Sequence, residues 1–445
     1  MVVRLNNQWG GGGAPNRQEP GAGGGAERDV YGSEAPLPGR ADVLVVGAGI
    51  LGLATAVELA SRLPDRRVIV VEKEHAIALH QTGRNSCVVH SGVYYAPGSL
   101  KARLCTAGRL LLREYCEERA IPYDECGKLI VAAEASELPA IDELQRRAEA
   151  NGVPRLRRLA AEEIREVEPH CVGVAGLHVP TTALVDFRLV AAALAEDLRK
   201  LGGGVYTDAG VRTMADGGES VRIETSRGTV EALGVVSCAG IQSDRLVEAS
   251  GLHDEDRTAI IPFRGDYHAL RPEARKLCRA LIYPVPDPRF PFLGVHANRR
   301  PDGEVWLGPN AVVALARDRY GRASFDARDT WDTLRSRAFW RLAGRHWRTG
   351  AGELYRDLVP RAFVGAARRY LPELSRADVV PAPAGIRAQA VRADGTLVDD
   401  FLFARSARVL HVKNAPSPGA TASLAIAKTI ADLGLDAFGL DGGSA

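Results

Sequence analysis

The clearest indication of the fold class is the stretch Val43-Leu44-Val45-Val46-Gly47-Ala48-Gly49-Ile50-Leu51-Gly52. In it a short β-branched run is followed directly by three glycines with the spacing Gly-x-Gly-x-x-Gly, and a helical pattern continues to about Arg62. In a strand–turn–helix unit such glycines allow a tight turn, close approach of the backbone to a pyrophosphate, and close packing of helix on strand. The stretch therefore predicts the first unit of a doubly wound, nucleotide-binding α/β domain.

The next apolar run supports the same interpretation. Residues 68–71 have the spacing of the second strand of a β–α–β unit, and Glu72 closes that strand 25 residues after Gly47. An acid at this point accepts hydrogen bonds from ribose hydroxyls, which favours FAD or NAD over NADP. The start of the helix offers N–H groups to the phosphates. We therefore expect nucleotide contacts at Gly47, Gly49, Ile50, Leu51, Gly52, Glu72 and Lys73.

The composition is that of a globular protein. Its 445 residues predict two large units wound together or about three smaller ones. Hydrophobic residues make up 46% and charged residues 25%, which excludes a mostly disordered chain or a fibre. The 57 basic and 55 acidic residues leave a net charge of +2, so we expect no nucleic-acid partner.

The cysteines and the apolar runs bear on location. Seven cysteines form no Cys-x-x-Cys pair, and their number is odd, so we expect no structural metal site and reduced thiols in the cytoplasm. The longest uncharged apolar run, residues 43–57, has 15 residues and contains three glycines. A spanning helix needs about 20 residues, so this run is not predicted to cross a membrane.

The chain reads as a tail followed by alternating strands and helices. Residues 1–39 are rich in glycine and predict a disordered tail, because they contain too little apolar surface to offset the entropy of ordering. The periodicity predicts strands at 43–46, 68–71, 129–132 and 409–412 and short strands within 205–236. It predicts helices at 99–119, 136–151, 186–201 and 420–433.

Several further motifs point to one family. They are His80-Gln81-Thr82-Gly83-Arg84-Asn85-Ser86-Cys87-Val88-Val89-His90-Ser91-Gly92-Val93-Tyr94-Tyr95, Ile282-Tyr283-Pro284-Val285-Pro286-Asp287-Pro288, Phe292-Leu293-Gly294-Val295-His296, Gly308-Pro309-Asn310-Ala311, Gly385-Ile386-Arg387-Ala388-Gln389 and Asn414-Ala415-Pro416-Ser417-Pro418-Gly419-Ala420-Thr421. From about residue 41 to residue 435 the chain resembles the L-2-hydroxyglutarate oxidase/dehydrogenase family of D-amino-acid-oxidase-like flavoproteins. It departs at Cys87, where that family usually carries glycine, and at Lys413, where a cysteine or a small apolar residue is commoner.

The resemblance implies a two-domain α/β flavoprotein with a doubly wound FAD-binding domain and a mixed-sheet substrate domain. The FAD domain would consist of 40–122, 180–246 and 385–440, and the substrate domain of 123–179 and 247–384. The implied reaction is oxidation of L-2-hydroxyglutarate, or of a similar L-2-hydroxy dicarboxylate, to the 2-oxo acid. The implied cofactor is FAD, with further contacts at Thr82, Arg84, Asn85, Ser86, Gly240, Pro418, Gly419, Ala420 and Thr421.

Flavin-dependent oxidation of a 2-hydroxy acid needs a path for hydride, a base for the hydroxyl proton, and cations for the carboxylates. Arg264 and Arg387 are candidate clamps because a guanidinium presents a planar fork to a carboxylate, and Tyr283 is a candidate donor to the same anion. His90 and His296 are candidate bases because imidazole titrates near neutrality. Each residue has a plainer alternative: a surface arginine, a packed aromatic ring, an ordinary core histidine or, for His90, a contact to the flavin.

Two further points concern partners. Residues 335–348 form a helical pattern with Phe339, Ala343 and Trp347 on one stripe and arginines on another, which is typical of peripheral contact with an anionic membrane surface or of packing on the domain. The electron acceptor is oxygen, a quinone or a carrier protein, and a quinone requires access to the membrane. Three alternatives stay open: an amino-acid or amine oxidase of the same fold, a nucleotide-binding protein without catalytic activity, and an NAD-dependent dehydrogenase.

Overall fold

The computed structural model describes residues 35–252, 258–286 and 294–440. The predicted tail lies outside these residues up to residue 34, as do parts of two quoted motifs, 287–288 and 292–293. No helix within the described ranges combines the length and the apolarity needed to cross a bilayer.

Strands and helices alternate along the described chain, and the predicted mixed α/β class is confirmed. The strands are β1 (Arg40–Val46), β2 (Val68–Val71), β3 (Val88–Val89), β4 (Lys128–Ala132), β5 (Arg157–Ala160), β6 (Ala175–Val179), β7 (Ala183–Leu184), β8 (Gly204–Tyr206), β9 (Val211–Asp216), β10 (Val221–Thr225), β11 (Gly228–Ser237), β12 (Ala259–Leu270), β13 (Leu281–Pro284), β14 (His296–Arg299), β15 (Val305–Gly308), β16 (Val312–Val313), β17 (Val379–Val391), β18 (Leu402–Arg405) and β19 (Val409–Asn414). The α-helices are α1 (Ile50–Arg62), α2 (Leu100–Glu118), α3 (Leu138–Ala150), α4 (Ala161–Val167), α5 (Phe187–Lys200), α6 (Ser243–Ala249), α7 (Ala327–Arg335), α8 (Arg337–Leu358), α9 (Pro360–Arg368) and α10 (Ser423–Phe438).

The first sheet is the doubly wound layer. Its main strands lie in the order β18-β19-β11-β1-β2-β8, and all neighbours are parallel except β18 and β19. Helices α1, α5 and α10 cover one face through residues such as Leu53, Leu194 and Ile426, while β9, β10 and α6 cover the other. The chain leaves β1 toward β2 on one side and returns to β11 on the other. A crevice therefore opens at the carboxyl ends of these strands.

The second sheet is mixed and lies against the loops of the first. Its order is β16-β12-β15-β14-β13-β4-β6-β5, with β17 paired along β12. One face packs on α9, where Phe363 meets Leu129 and Ile282. The opposite face carries Tyr283 and packs near Val88, in the segment that follows β2. Strand β17 stays in this sheet past residue 385, and the predicted division into two domains stays a prediction.

Two helices differ from their predicted form. The last helix begins at Ser423 rather than at Ala420, because Ala422 N first donates to Pro418 O in a preceding turn. Helix α8 has non-helical backbone at His346. The stripe predicted through Phe339 and Trp347 is therefore broken: Phe339 packs inward against the cluster around Leu342, whereas Trp347 is 63% exposed.

A buried ion cluster ties α8 to the second sheet. Arg264 Nη2 lies 2.9 Å from Asp266 Oδ2 and 3.1 Å from Asp357 Oδ2, and all three residues are buried. Asn310 donates to Asp357 Oδ1 at 2.8 Å and accepts from Asp266 N at 2.7 Å. Burial and the neighbouring Asp357 raise the pKa of Asp266 to about 6. Arg264 thus supplies the positive charge for two carboxylates of the protein itself.

Arg264→Met is expected to lower the free energy of unfolding by about 3–5 kcal/mol, because it leaves two buried carboxylates without their cation. Urea denaturation of the variant and of the wild type measures this difference. Arg322→Met is the matched control: Arg322 lies 3.6 Å from Asp266 but is 48% exposed, so its loss is expected to change stability by less than about 1 kcal/mol. Equal effects of the two substitutions would contradict the role given to Arg264.

Candidate functional site

A cavity of about 930 Å³ lies between the two sheets, at the carboxyl ends of β1, β2 and β11. This volume is in the upper part of the range for small-molecule and cofactor sites, about 300–1,000 Å³. The residues predicted as nucleotide and cofactor contacts all line it: Gly47, Gly49, Ile50, Leu51, Gly52, Glu72, Lys73, Thr82, Arg84, Asn85, Ser86, Gly240, Pro418, Gly419, Ala420 and Thr421.

The glycine loop forms one wall of the cavity. Gly47 has a φ of +101°, which favours glycine, and a Cβ there would lie 2.6 Å from Cys238 O at the end of β11. A Cβ on Gly52 would lie 1.9 Å from Gly47 O. Gly49 adds no side-chain cap to α1. The loop therefore presents bare backbone and a helix start to the cavity, as a pyrophosphate requires.

Two buried side chains brace this loop. Glu72 Oε2 accepts from Ala48 N at 2.7 Å, and Thr82 Oγ1 accepts from Ile50 N at 3.0 Å. A carboxylate has about four lone-pair sites, so Glu72 keeps acceptor capacity for ribose hydroxyls. Thr82 acts here as a cap for α1 from a distant loop, a role that its sequence position does not indicate.

Asn85 holds the loop after β2 in shape. Its Nδ2 donates to Gln81 O at 3.0 Å and to Thr82 O at 2.6 Å, and its Oδ1 accepts from Cys87 N at 2.7 Å. Cys87 is buried and has a φ of +61°. This conformation favours glycine, which gives a backbone reason for the glycine usual at this position in the family that the chain resembles.

Two cations at the wall already have partners in the protein. Lys73 Nζ lies 2.9 Å from Asp318 Oδ2. The Arg84 guanidinium lies 3.8 Å above the ring of Tyr320. Any contact of these side chains with a cofactor is additional to these interactions.

The turn before α10 closes the other end of the cavity. Thr421 Oγ1 accepts from His90 N at 3.1 Å, and Ser417 Oγ lies 3.4 Å from His90 Nε2. The predicted residues Pro418, Gly419 and Ala420 belong to this turn and line the cavity. The turn and the His90 segment therefore hold each other in place.

These residues fit FAD. The bare backbone of the glycine loop suits a pyrophosphate, and the braced Glu72 suits an unphosphorylated ribose. His90 and the turn before α10 line the same cavity, and these residues would hold the isoalloxazine ring.

Strands β12 and β17 decide which side chains of the second sheet reach the cavity. Phe263 pairs with Arg387, and both line the cavity together with Tyr267. The side chain of Arg387 is accessible from the cavity, but protein surrounds the cavity at this point. This enclosure lowers the pKa of its guanidinium. Because side chains alternate along a strand, Arg264 faces the other way.

The structure corrects the expectation that Arg264 clamps a substrate carboxylate. The residue is absent from the cavity lining, and its guanidinium is occupied by Asp266 and Asp357. Arg264 and Arg387 look equivalent in the sequence, since each stands close to a glycine. Only Arg387 projects into the cavity.

His296 and Tyr283 are buried and do not belong to the residues that line the cavity. Their rings stack with centroids 4.0 Å apart. His296 Nδ1 lies 2.9 Å from Gly294 O, and because a carbonyl only accepts, the neutral imidazole carries its proton on Nδ1. Its Nε2 therefore keeps a lone pair. Burial lowers the pKa of His296 to about 4.

His90 lines the cavity itself. Burial, and then the positive charge of Lys128, lower the pKa of His90 to about 3. Its Nδ1 is buried and has no hydrogen-bond partner within the described residues. Both candidate histidines are therefore neutral near physiological pH and able to accept a proton.

Sequence reasoning missed Tyr267 and Lys128. Tyr267 lies four residues after Phe263 on the same strand, so the period of two would have placed it on the face of Phe263. Lys128 opens β4 beside the apolar run 129–132. A charge at the end of such a run suggests an exposed strand end, yet Lys128 is buried.

Gly52→Ala is expected to reduce the flavin retained on purification to less than about a tenth, since the methyl group would displace the loop from Gly47 O and a tenfold loss needs only about 1.4 kcal/mol. The ratio of visible to ultraviolet absorbance measures it. Gly350→Ala in α8 is the control, because a Cβ there meets nothing within 4 Å. A Gly52→Ala protein as yellow as the wild type would contradict the assignment of the loop.

Comparison with known proteins agrees with this geometry. The family model described as FAD dependent oxidoreductase, DAO, matches residues 42–433. The chain is 46% identical over 418 residues to the mitochondrial L-2-hydroxyglutarate dehydrogenase of Nematostella vectensis, with 90% of this chain and 91% of that protein covered. It is 44% identical over 418 residues to the Homo sapiens protein of the same name, with 90% of each chain covered.

A solved structure shares the fold. The dithionite-reduced L-alpha-glycerophosphate oxidase from Mycoplasma pneumoniae, determined with FAD bound, has a TM-score of 0.73 at 22% identity. The alignment covers 89% of this chain and 94% of that one. The family match over residues 42–433 and the relatives at 46% and 44% identity show that the chain belongs to the family of FAD-dependent oxidoreductases.

Proposed function

We propose that this oxidoreductase uses FAD to oxidise L-2-hydroxyglutarate to 2-oxoglutarate. The observation that carries the proposal is the arrangement of the cavity. One cavity is lined by the glycine loop, Glu72, Arg387 and His90, and His296 acts electrostatically on His90. The relatives that match along most of the chain are named for this activity.

The chain's own residues would bind the substrate, orient it and take its proton. FAD, when bound, supplies the acceptor for the α-hydrogen, which leaves the substrate as hydride. Arg387 holds the carboxylate next to the reacting carbon with a planar pair of N–H donors, which fixes the direction of the α-hydrogen. Neutral His296 takes the hydroxyl proton at Nε2, since Gly294 O holds its Nδ1–H.

The proposal is tested by adding L-2-hydroxyglutarate to the yellow holoenzyme without oxygen. We expect the flavin bands to bleach within seconds and one equivalent of 2-oxoglutarate to form per flavin. D-2-Hydroxyglutarate and L-glutamate are the matched controls and should leave the bands in place. Bleaching by L-glutamate alone would instead identify an amino-acid oxidase of the same fold, and a protein that binds no flavin would contradict the cofactor.

His296→Asn is expected to slow flavin reduction by about 10²–10⁴-fold, the usual contribution of a general base, with flavin content unchanged. In the wild type the base must be unprotonated, so the rate rises with pH through its pKa. With a pKa of about 4, the rate is expected to be flat between about pH 5.5 and 7.5, where an ordinary histidine would give about a tenfold rise. Stopped-flow reduction measures both, with the pH profile taken at substrate concentrations well below saturation, where the second-order rate reports the pKa of the free enzyme. A large loss in His90→Asn but not in His296→Asn would reverse the two roles.

We also propose that the enzyme docks on an anionic membrane and passes its electrons to a quinone there. The support is a set of exposed apolar side chains on α7 and α8, which we call the tryptophan stripe. Trp340 lies before the non-helical residue His346, and Trp347 and Leu354 follow it with a spacing of seven residues, close to two helical turns. The members of the stripe are 52–67% exposed: Trp331, Trp340, Trp347, Leu354, Tyr355 and Leu358.

Charge on α8 favours lipid as the occupant of this surface. The arginines of the helix beside the stripe are exposed: Arg337, Arg341, Arg345 and Arg348. The acidic residues of the helix, Glu353 and Asp357, are buried and paired with arginines. Exposed aromatic residues flanked by arginine are typical of helices that lie in the headgroup region of anionic bilayers.

Co-sedimentation with vesicles tests the docking. Wild-type protein is expected to pellet with phosphatidylcholine–phosphatidylglycerol vesicles and to stay in the supernatant with pure phosphatidylcholine. Replacing Trp340 and Trp347 with alanine should reduce the pelleted fraction at least about tenfold, because buried apolar area and lipid charge together set the affinity. Leu110→Ala, which trims an exposed leucine on α2, is the control. Pelleting of the tryptophan variant like the wild type would exclude this surface.

A further inference from the structure

Lys128 is a buried cation that the proposed mechanism does not use. It opens β4, and its side chain is only 1% exposed. Its Nζ lies 4.6 Å from the ring centroid of Tyr94 and 5.1 Å from that of Tyr283. Within the described residues it has no carboxylate partner. Burial lowers the pKa of Lys128 to about 8.

A second buried lysine shows what a structural lysine looks like in this protein. Lys101 also lies near a tyrosine ring, 5.0 Å from that of Tyr95, but its Nζ forms an ion pair with Asp399 Oδ1 at 2.8 Å. An ammonium group without such a partner loses its hydration and recovers only the weaker attraction of aromatic faces. Lys128 is therefore a charge that no carboxylate compensates in the part of the chain that the structure describes.

The surroundings of Lys128 contain a further polar atom without a partner, the buried hydroxyl of Tyr94, which lacks a hydrogen bond within the described chain. Asn298 is also buried, and its side chain contacts Tyr283, where it opposes the rise that burial causes in the pKa of Tyr283. Asn298 pairs with Leu281, and the next residue, Ile282, pairs with Leu129. Since paired residues share a face, Lys128 and Asn298 lie on the same face of the sheet, two strands apart.

The position of Lys128 relative to the cavity defines what it can reach. Its Nζ lies 5.1 Å from the ring centroid of Tyr283, and that ring stacks on His296 with centroids 4.0 Å apart, so the lysine lies close to the proposed proton acceptor. It does not line the cavity, whereas Arg387 does. The lysine is therefore buried behind the cavity wall, beside the ring of Tyr283 that stacks on His296.

We propose that Lys128 binds the carboxylate at the end of the substrate remote from the reacting carbon, and so makes the site selective for dicarboxylates. This rests on the proposed function. Arg387 would hold the carboxylate beside the reacting carbon, and Asn298 and the Tyr94 hydroxyl are placed to donate to the remote one. The bound anion would supply the partner that Lys128 lacks.

The test compares Lys128→Met with Lys101→Met in the holoenzyme. Glutarate, a dicarboxylate without the reactive hydroxyl, is titrated against the visible spectrum of the bound flavin. Lys128→Met is expected to weaken glutarate about 30- to 1,000-fold, the usual effect of removing one member of a buried charge pair. Lys101→Met should stay within threefold of the wild type. Equal glutarate affinity in Lys128→Met and the wild type would overturn the proposal.

Turnover separates the two ends of the substrate. L-2-Hydroxyvalerate has a methyl group where L-2-hydroxyglutarate has its remote carboxylate. Lys128→Met is expected to raise the KM for L-2-hydroxyglutarate by a similar factor, to change kcat less than about fivefold, and to leave kcat/KM for L-2-hydroxyvalerate within threefold. An equal loss of kcat/KM for both substrates would show that Lys128 does not bind the remote carboxylate.

Different results would contradict the role of Lys128 and the proposed function. If L-2-hydroxyglutarate does not reduce the flavin of the wild type, both the proposed substrate and the proposed role of Lys128 are wrong. If L-2-hydroxyglutarate reduces the flavin of the wild type but Lys128→Met has unchanged selectivity, only the proposed role of Lys128 is wrong. Lys128→Gln serves as the second variant if Lys128→Met does not retain flavin.

Discussion

The pairing of β12 with β17 determines which chemistry faces the cofactor cavity. With Phe263 opposite Arg387, the guanidinium of Arg387 enters the cavity beside Tyr267. A slip of β12 by one residue would turn Phe263 away from the cavity and bring Arg264 inward in its place. The ion cluster around Arg264 opposes such a slip, because its buried charges would lose their partners. A structural salt bridge on one face of the sheet thus holds the binding residues on the other.

The electrostatics of the site follow from the same arrangement. Arg387 and Lys128 are cations within a closed region, and their charges add to burial in lowering the pKa values of His90 and His296. The histidines therefore stay neutral before the substrate arrives. A dicarboxylate would offset both positive charges, which removes their effect and makes the imidazole a stronger base when the hydroxyl proton must leave. Substrate recognition and proton acceptance are in this way coupled through charge.

The parts of the structure that depend on local spacing could be predicted from the sequence. The glycine loop and Glu72 are such features, because strand, turn and acid follow one another within a single β–α–β unit. Arg264 and Arg387 could not be told apart in this way, since both stand close to glycines and the β-bulge between Gly265 and Tyr267 is set by pairing with a segment more than a hundred residues away. Lys128 was missed for a related reason: its burial depends on rings from Tyr94 and Tyr283, which only the fold brings together.

We propose that the substrate binds on the face of the second sheet that carries Arg387 and His296. A crystal structure of the holoenzyme with glutarate would show this site. We expect the flavin in the cavity, one glutarate carboxylate on Arg387 and the other within hydrogen-bond distance of Lys128 Nζ. Glutarate bound to Arg264, or on the α9 side of the sheet, would contradict it.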